Sequence, residues 1–181
     1  DRAIVGLMMH EISNDLHISR THTSLLVGTG FAVVFSLAGI AVALFLSHIQ
    51  PRRVVGVGVV VWSLATVACA FAQTPAVFLI ARMGVGIGEA ALVPMAYTWI
   101  SMRAPHQRLG IAMACFTMGV SLGNGASLGI GGQVIEWLTA IADSTAFGLS
   151  PWRTVLAVCG FLGLPIAVLV MLVDRAPVQG I

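Results

Sequence analysis

The chain has 181 residues, of which 58% are apolar and 9% charged, with a mean hydropathy of +0.99. An ordinary soluble domain carries roughly 25% charged residues, so this composition excludes that class and points to a membrane protein. The formal net charge of +2 says little by itself: every basic residue is Arg, and no basic stripe or aromatic platform suggests nucleic acid.

The chain opens on Asp1-Arg2, followed by an apolar run from Ala3 to Met9 and then His10 and Glu11. Seven to ten apolar residues cannot cross a bilayer, which takes about 20. Residues 1–12 are therefore expected to be the end of a spanning helix that the chain enters partway along. Ser13–Thr23 reads as a polar loop, and 24–46 as the first complete span, with Gly28, Gly30 and Gly39 as packing residues. A short turn carries His48, Arg52 and Arg53. The next span, 54–72, has no charge and ends at Gln73-Thr74-Pro75.

Span 76–101 is the most informative. It reads I-A-R-M-G-V-G-I-G-E-A-A-L-V-P from Ile80 to Pro94, with Arg82 and Glu89 inside it and Pro94 as an expected kink. A charge at membrane depth costs roughly 2.5–3.5 kcal/mol on insertion scales, so such residues face a bundle interior or a wet cavity. Arg82 and Glu89 are seven positions apart, which puts them on one helix face about 10.5 Å apart along the axis. Gly84, Gly86 and Gly88 let neighbouring helices approach closely. The formal match of Gly86-x-Gly88-x-x-Ala91 to a dinucleotide fingerprint fails, since neither a preceding strand nor the downstream acid is there.

A second arginine-bearing turn (Arg103, Arg108) leads to a glycine-dense span at 109–132. In it Thr117, Ser121 and Asn124 recur at helical spacing. Residues 133–143 carry Val134, Trp137, Leu138 and Ile141 on one face and polar groups on the other, the pattern of a short helix lying in the interface, with Trp137 and Trp152 as belt residues. The alternative for this stretch is a simple polar linker. The last span is 154–173, closed by Asp174-Arg175-Ala176-Pro177. Arg52, Arg53, Arg103, Arg108 and Arg175 fall on one side of the alternating spans, against Arg20 and Arg153 on the other, so the first set of loops is expected in the cytoplasm. The fold class is an all-α membrane protein of six helices.

Spans 54–72 and 154–173 lack charge and are expected at the lipid-facing periphery. The other four are expected to border a polar cavity, with Thr29, Ser36, Thr117, Ser121 and Asn124 in its wall. The opposing reading of Thr117 and Ser121 is that each bonds its own backbone carbonyl. Asp1, Arg2, Arg82 and Glu89 are the decisive set. Either they form a static salt-bridge network, or an acid exchanges a proton while an arginine holds an anionic group and switches the acid's charge state. His10 is a weaker candidate, read more readily as a solvated or packed residue. The three cysteines, Cys69, Cys115 and Cys159, lie in apolar segments without metal-ligand spacing and read as small buried hydrophobes. No cofactor or metal is expected.

These residues resemble the major facilitator superfamily, and within it the spinster-like transporters. Asp1-Arg2 is similar to the Asp-Arg in the core of that family's first helix. Trp62-Ser63-Leu64-Ala65-Thr66 resembles its third-helix motif, and Arg82-x-Gly84-x-Gly86-x-Gly88-Glu89-Ala90 with Pro94 its fourth-helix signature. Pro151-Trp152-Arg153 resembles the entry to its sixth helix. The usual G-x-x-x-D-R-x-G-R-R loop is reduced here to its final arginines, Arg52 and Arg53, with His48 where the aspartate would stand. The resemblance covers the whole chain but only the amino-terminal six-helix bundle of such a protein, whose second six-helix bundle is absent from this sequence.

The resemblance implies a secondary active transporter in the plasma (inner) membrane, not an enzyme. It would work by alternating access, with protons as the coupling ion and an amphiphile such as a lysophospholipid or sphingoid phosphate as substrate. Arg2 or Arg82 would hold the head group, Asp1 and Glu89 would couple protons, and Phe31 and Met118 would accept the tail. His48, Arg52 and Arg53 would form a cytoplasmic gate, meeting a carboxylate of the second bundle or holding orientation. The competing readings are an organic-anion/proton symporter for a small carboxylate, a membrane-embedded enzyme and a partner-binding membrane subunit. The enzyme lacks any His-x-x-x-His or buried Ser/His set.

Overall fold

The computed structural model describes residues 2–19, 24–45, 48–140 and 150–172, and all its regular elements are helices. In chain order these are α1 (Arg2–Leu7), α2 (Met9–Asp15), a π-helical turn (Leu25–Gly30), α3 (Phe31–Phe45), α4 (Pro51–Ala70), α5 (Pro75–Arg103), a 3-10 turn (His106–Arg108), α6 (Leu109–Ala140) and α7 (Pro151–Leu172). Five helical segments are long and apolar enough to cross a membrane: Gly28–Phe45, Pro51–Ala70, Pro75–Arg103, His106–Val134 and Pro151–Leu172. Lipid offers the backbone no partners, so helix is the way these glycine-rich stretches satisfy their own amides.

The boundaries follow local chemistry. α4 and α5 each begin three and one residues earlier than the apolar pattern indicates, because Pro51 and Pro75 sit in their first turns, where a missing N–H costs nothing. Thr74 caps α5 by accepting from the Val77 amide at 3.3 Å. Between α1 and α2 the helix loosens at Met8, but the amides of Met8 and Ile12 still reach Ile4 and Met8, so the two form one rod that runs to Asp15. That rod ends in a Schellman turn: Ile18 N–H reaches Ser13 O and His17 N–H reaches Asn14 O, with His17 at φ 53°. The interface stretch at 133–140 is not a separate helix. It prolongs α6 to Ala140, since no proline interrupts the run after Gly132, and 141–149 lies outside the described residues. Val134 and Trp137 there are exposed, as the amphipathic pattern requires.

Packing centres on α4, which lies against both α5 and α7, while α3 lies on α5. This corrects the expectation that the uncharged spans are peripheral: half of α4 is buried, and a third of α7. The reason is side-chain size. Gly58 and Gly88 meet where α4 crosses α5, and Gly160 and Gly163 of α7 sit against the Ser63–Val67 turn of α4. Ser63 and Thr66 are fully buried, and Thr66 Oγ1 donates to Trp62 O at 2.8 Å. The outer flank of α4, with Val57, Val61 and Leu64, remains exposed and suits lipid. Gly28 and Gly39 behave otherwise than expected: a methyl group at either would touch nothing, so they are not packing residues within this bundle. Among the described residues of α6 only Gly131, which sits against Ile4 of α1, is buried, and the helix touches α5 and α7 more lightly.

Candidate functional site

The glycine ladder of α5 serves two faces at once. Gly84 and Gly88, four apart, face α4: a Cβ on Gly84 would lie 3.1 Å from Ala65 Cβ, and one on Gly88 only 2.5 Å from Trp62 N. Arg82 and Gly86, also four apart, face α3. A Cβ on Gly86 would lie 3.3 Å from the Phe31 ring, so the missing side chain makes the seat for that ring. Arg82 covers the same ring from one turn away, its guanidinium carbon 4.9 Å from the centroid. Phe31 in turn stacks on Phe35 at 6.0 Å.

Arg82 is 2% exposed, among the largest fully buried side chains of the described residues, with Phe78 and Val85 buried beside it on α5. A desolvated guanidinium over an aromatic face gains about 2 kcal/mol. Glu89 follows seven residues on, is half-buried, and lies three residues past Gly86 on the Arg82 face. Arg82 is therefore buried within the bundle, and Glu89 lies half-buried on the same face of α5.

The other sequence candidates distribute as follows. Asp1 lies outside the described residues. Arg2 begins α1, but its side chain is not among those described. Ser36 is exposed and donates to Ala32 O at 2.8 Å. Thr117 is exposed, donates to Met113 O at 3.0 Å and lies 3.2 Å from Tyr97 Oη. The backbone-bonding reading, made for Thr117 and Ser121, thus holds in part for Thr117, which also meets Tyr97, and Ser36 bonds its own helix in the same way. Tyr97 also meets Phe116 edge-on at 5.2 Å. Tyr97 is fifteen residues beyond Arg82, about 22 Å along α5. Thr117 and Arg82 therefore sit at different depths and do not form one cluster. Met118 and Ser121 line a shallow open hollow on α6 with Thr117, and Asn124 is exposed on the same helix. His48 and Arg53 are exposed and Arg52 is half-buried, all at the turn into α4.

Sequence reasoning missed a polar clasp at one end of the bundle. Asp15 Oδ2 accepts from Arg153 Nε at 2.9 Å, from Trp152 Nε1 at 3.1 Å and from Ser150 Oγ at 3.4 Å. Arg153 Nη1 also donates to Ala70 O at 3.1 Å. The end of α2, the end of α4 and the start of α7 therefore meet at one rim, as alternating spans require. Trp152 is not a belt residue. It is fully buried, edge-on to Phe78 at 5.9 Å, because Asp15 satisfies its indole N–H. The sequence signal was there in Pro151-Trp152-Arg153 together with an acid in the first loop. Replacing Asp15 with alanine leaves the buried indole donor without its acceptor. It is expected to cost about 1–3 kcal/mol in thermal unfolding in detergent. In a Trp152→Phe background the same change should cost about 1 kcal/mol less. Of the cysteines, Cys69 is buried and Cys159 half-buried as expected, but Cys115 is exposed on α6.

Comparison with known proteins agrees with this geometry. The family model of the Major Facilitator Superfamily matches residues 1–180. An MFS-type efflux pump of Mycolicibacterium smegmatis is 29% identical over 173 residues, covering 96% of this chain and 38% of that protein. A probable sphingolipid transporter of Arabidopsis thaliana, spinster homolog 2, is 29% identical, covering 93% of this chain and 32% of that protein. A crystal structure of a bacterial homolog of the human lysosomal transporter Spinster, inward-facing and unoccupied, superimposes with a TM-score of 0.86 at 26% identity, covering 99% of this chain and 40% of that one. The chain thus spans between a third and two fifths of the length of these relatives. Motif, helix packing and all three comparisons converge: the chain belongs to the Major Facilitator Superfamily and is spinster-like in sequence and fold.

Proposed function

We propose that this chain is the amino-terminal bundle of a proton-coupled secondary transporter for amphiphilic, anionic, lipid-like substrates, of the lysophospholipid or sphingoid phosphate kind. The observation that carries the reading is Arg82. A cation that is 2% exposed, two turns inside a 29-residue apolar helix, is expensive to keep and is placed over an aromatic ring with an acid on the same face. Its role is to hold the anionic head group, with Arg2 as a second candidate. Glu89, and Asp1 by the same logic, carry the proton. Phe31, buried beside Arg82, is the candidate for contact with the tail next to the charge; Ser36, Thr117, Met118, Ser121 and Asn124 stay candidates for the cavity wall once a second six-helix bundle faces them.

The two bundles would rock about this midplane site. The loops with Arg52, Arg53, Arg103, Arg108 and Arg175 would face the cytoplasm from the inner membrane, with His48, Arg52 and Arg53 at the gate between bundles. Resemblance to probable sphingolipid transporters supports the amphiphile. A second reading, symport of a small carboxylate, is favoured by the 24% identity to a gallate transporter of Pseudomonas putida over 95% of this chain. Competition in proteoliposomes separates the two: lysolipids should block uptake and small carboxylates should not.

The coupling role is tested by Glu89→Gln. The variant should fold and bind substrate like the parent, yet lose uptake driven by a pH gradient by at least tenfold. Unchanged proton-driven uptake removes Glu89 from the mechanism.

A further inference from the structure

Arg82 is closed off by its own bundle. Within these helices alone it is 2% exposed, and the Phe31 above it is 5% exposed. A second bundle can add to that burial but cannot remove it. Rocking of two rigid bundles therefore does not by itself bring a head group to this guanidinium. One of the helices around it has to give way.

Three helices enclose the group. Phe78 and Val85 are buried beside it on α5, Cys69 of α4 lies within its electrostatic reach, and Phe31 of α3 covers it. Two of the three are locked. At Gly88 an added Cβ would lie 2.5 Å from Trp62 N, so α4 and α5 touch backbone to backbone. Phe78 is held edge-on by Trp152, whose indole N–H donates to Asp15. α3 meets the site differently. The first atoms that a Cβ on Gly86 would meet are ring atoms of Phe31, at 3.3 and 3.5 Å, and the nearest α3 backbone atom, Phe31 O, is at 3.7 Å, an ordinary contact. A ring can leave such a seat without parting two helix backbones.

α3 also has the means to turn. Phe31 follows directly on the π-helical turn Leu25–Gly30. A π turn closes its hydrogen bonds over one residue more than an α turn, and such turns are frequent at functional sites. Relaxing it to α-helix rotates the helix beyond it by about 100°, the step of one residue. A rotation of that size carries the Phe31 ring off the face that Gly86 and Arg82 present.

We propose that Phe31 is a cover on Arg82, seated on Gly86, and that an anionic head group reaches the guanidinium only when the π turn lets the ring swing away. The displaced ring then lies along the apolar part of the ligand next to its charge. The proposal rests on the reading of Arg82 as the head-group site and adds a moving part within one bundle to it.

The test is phenylglyoxal labelling of Arg82 in the purified full-length protein, followed by peptide mass spectrometry with Arg108 as the internal reference. A cover closed about nine-tenths of the time slows access about tenfold. Phe31→Ala should therefore raise the rate at Arg82 about tenfold over the parent, relative to Arg108. Gly86→Ala keeps the ring but makes its seat shallower by a methyl group, and should raise the rate by about threefold on the same arithmetic. Phe31→Leu keeps an apolar side chain, guards against a failure of Phe31→Ala to fold, and should fall between the parent and Phe31→Ala. Helical signal and monodispersity confirm that each variant is folded. A lysophosphatidic acid should suppress the labelling of Arg82 in the parent and in each folded variant. Equal rates at Arg82 in the parent and in the folded Phe31 variants overturn the proposal, because the ring then covers nothing. Failure of Arg82 to label in any variant also overturns it, because another group then closes the site. Faster labelling that the lysophosphatidic acid does not suppress supports the cover and removes Arg82 from head-group binding, so the two readings fail separately.

Discussion

Replacing Gly88 with alanine should destabilise the bundle by about 2–3 kcal/mol, the upper part of the range for overpacked cores. The added methyl would lie 2.5 Å from Trp62 N, 2.8 Å from Trp62 Cα and 2.8 Å from Gly58 O, all backbone atoms of α4. A flexible side chain could rotate away from such a contact; a helix backbone cannot. α4 would have to leave α5 along its length, and α7 rides on α4 through Gly160 and Gly163. Valine at 88 should prevent recovery of folded protein. Gly39→Ala is the matched control. Its methyl meets nothing in the bundle, so the change should be neutral or stabilising by up to ~1 kcal/mol from helix propensity alone. Thermal unfolding in detergent, followed by helical signal and by loss of monomer on size exclusion, reads both. Equal behaviour of the two alanine variants would refute the close crossing.

Arg82 should show the opposite pattern: a large effect on transport and a small one on stability. A buried guanidinium carries a desolvation cost that an apolar side chain of similar length does not, and losing that cost offsets much of what the loss of its contacts removes. Arg82→Met should therefore fold with an unfolding temperature near that of the parent and lose uptake by at least a hundredfold. Arg82→Lys keeps the charge but not the planar group that lies over Phe31, so uptake should fall by about tenfold and not vanish. If Arg82 belongs instead to a static network, Arg82→Met unfolds the protein and uptake per folded molecule is unchanged. Measuring both quantities on the same preparation distinguishes the two.

Much of this was legible before any coordinates. Apolar runs of 18 or more residues admit few other structures, and five helical segments of that length are present among the described residues. The R-x-G-x-G-x-G spacing already implied a helix that neighbours approach closely, and that is what Gly84, Gly86 and Gly88 do. The arrangement of helices was not legible. Absence of charge from Val54 onward in α4 suggested the periphery, but a helix made of Gly, Val, Ser and Thr is also what a tight crossing selects, and sequence does not separate the two. Asp15 illustrates a different limit. Its partners are 135 to 138 residues away, and no local pattern connects them. Trp152 misled for a related reason: an indole at a span boundary looks like a belt residue until its N–H is seen to have a buried acceptor. The hydroxyls of Ser36 and Thr117 fell to their own helices because a carbonyl four residues back is always within reach.

The clasp of Asp15 with Trp152 and Arg153 has a practical corollary. Three chain segments far apart in sequence are pinned to a common point by one carboxylate oxygen, which makes that rim a fiducial mark. α6, attached lightly and exposed along its span, is the element whose displacement such a mark would register. Spectroscopic labels placed near Asn14 and Ser150 should keep a constant separation through a working cycle, and distances from either of them to α6 then read motion of that helix alone.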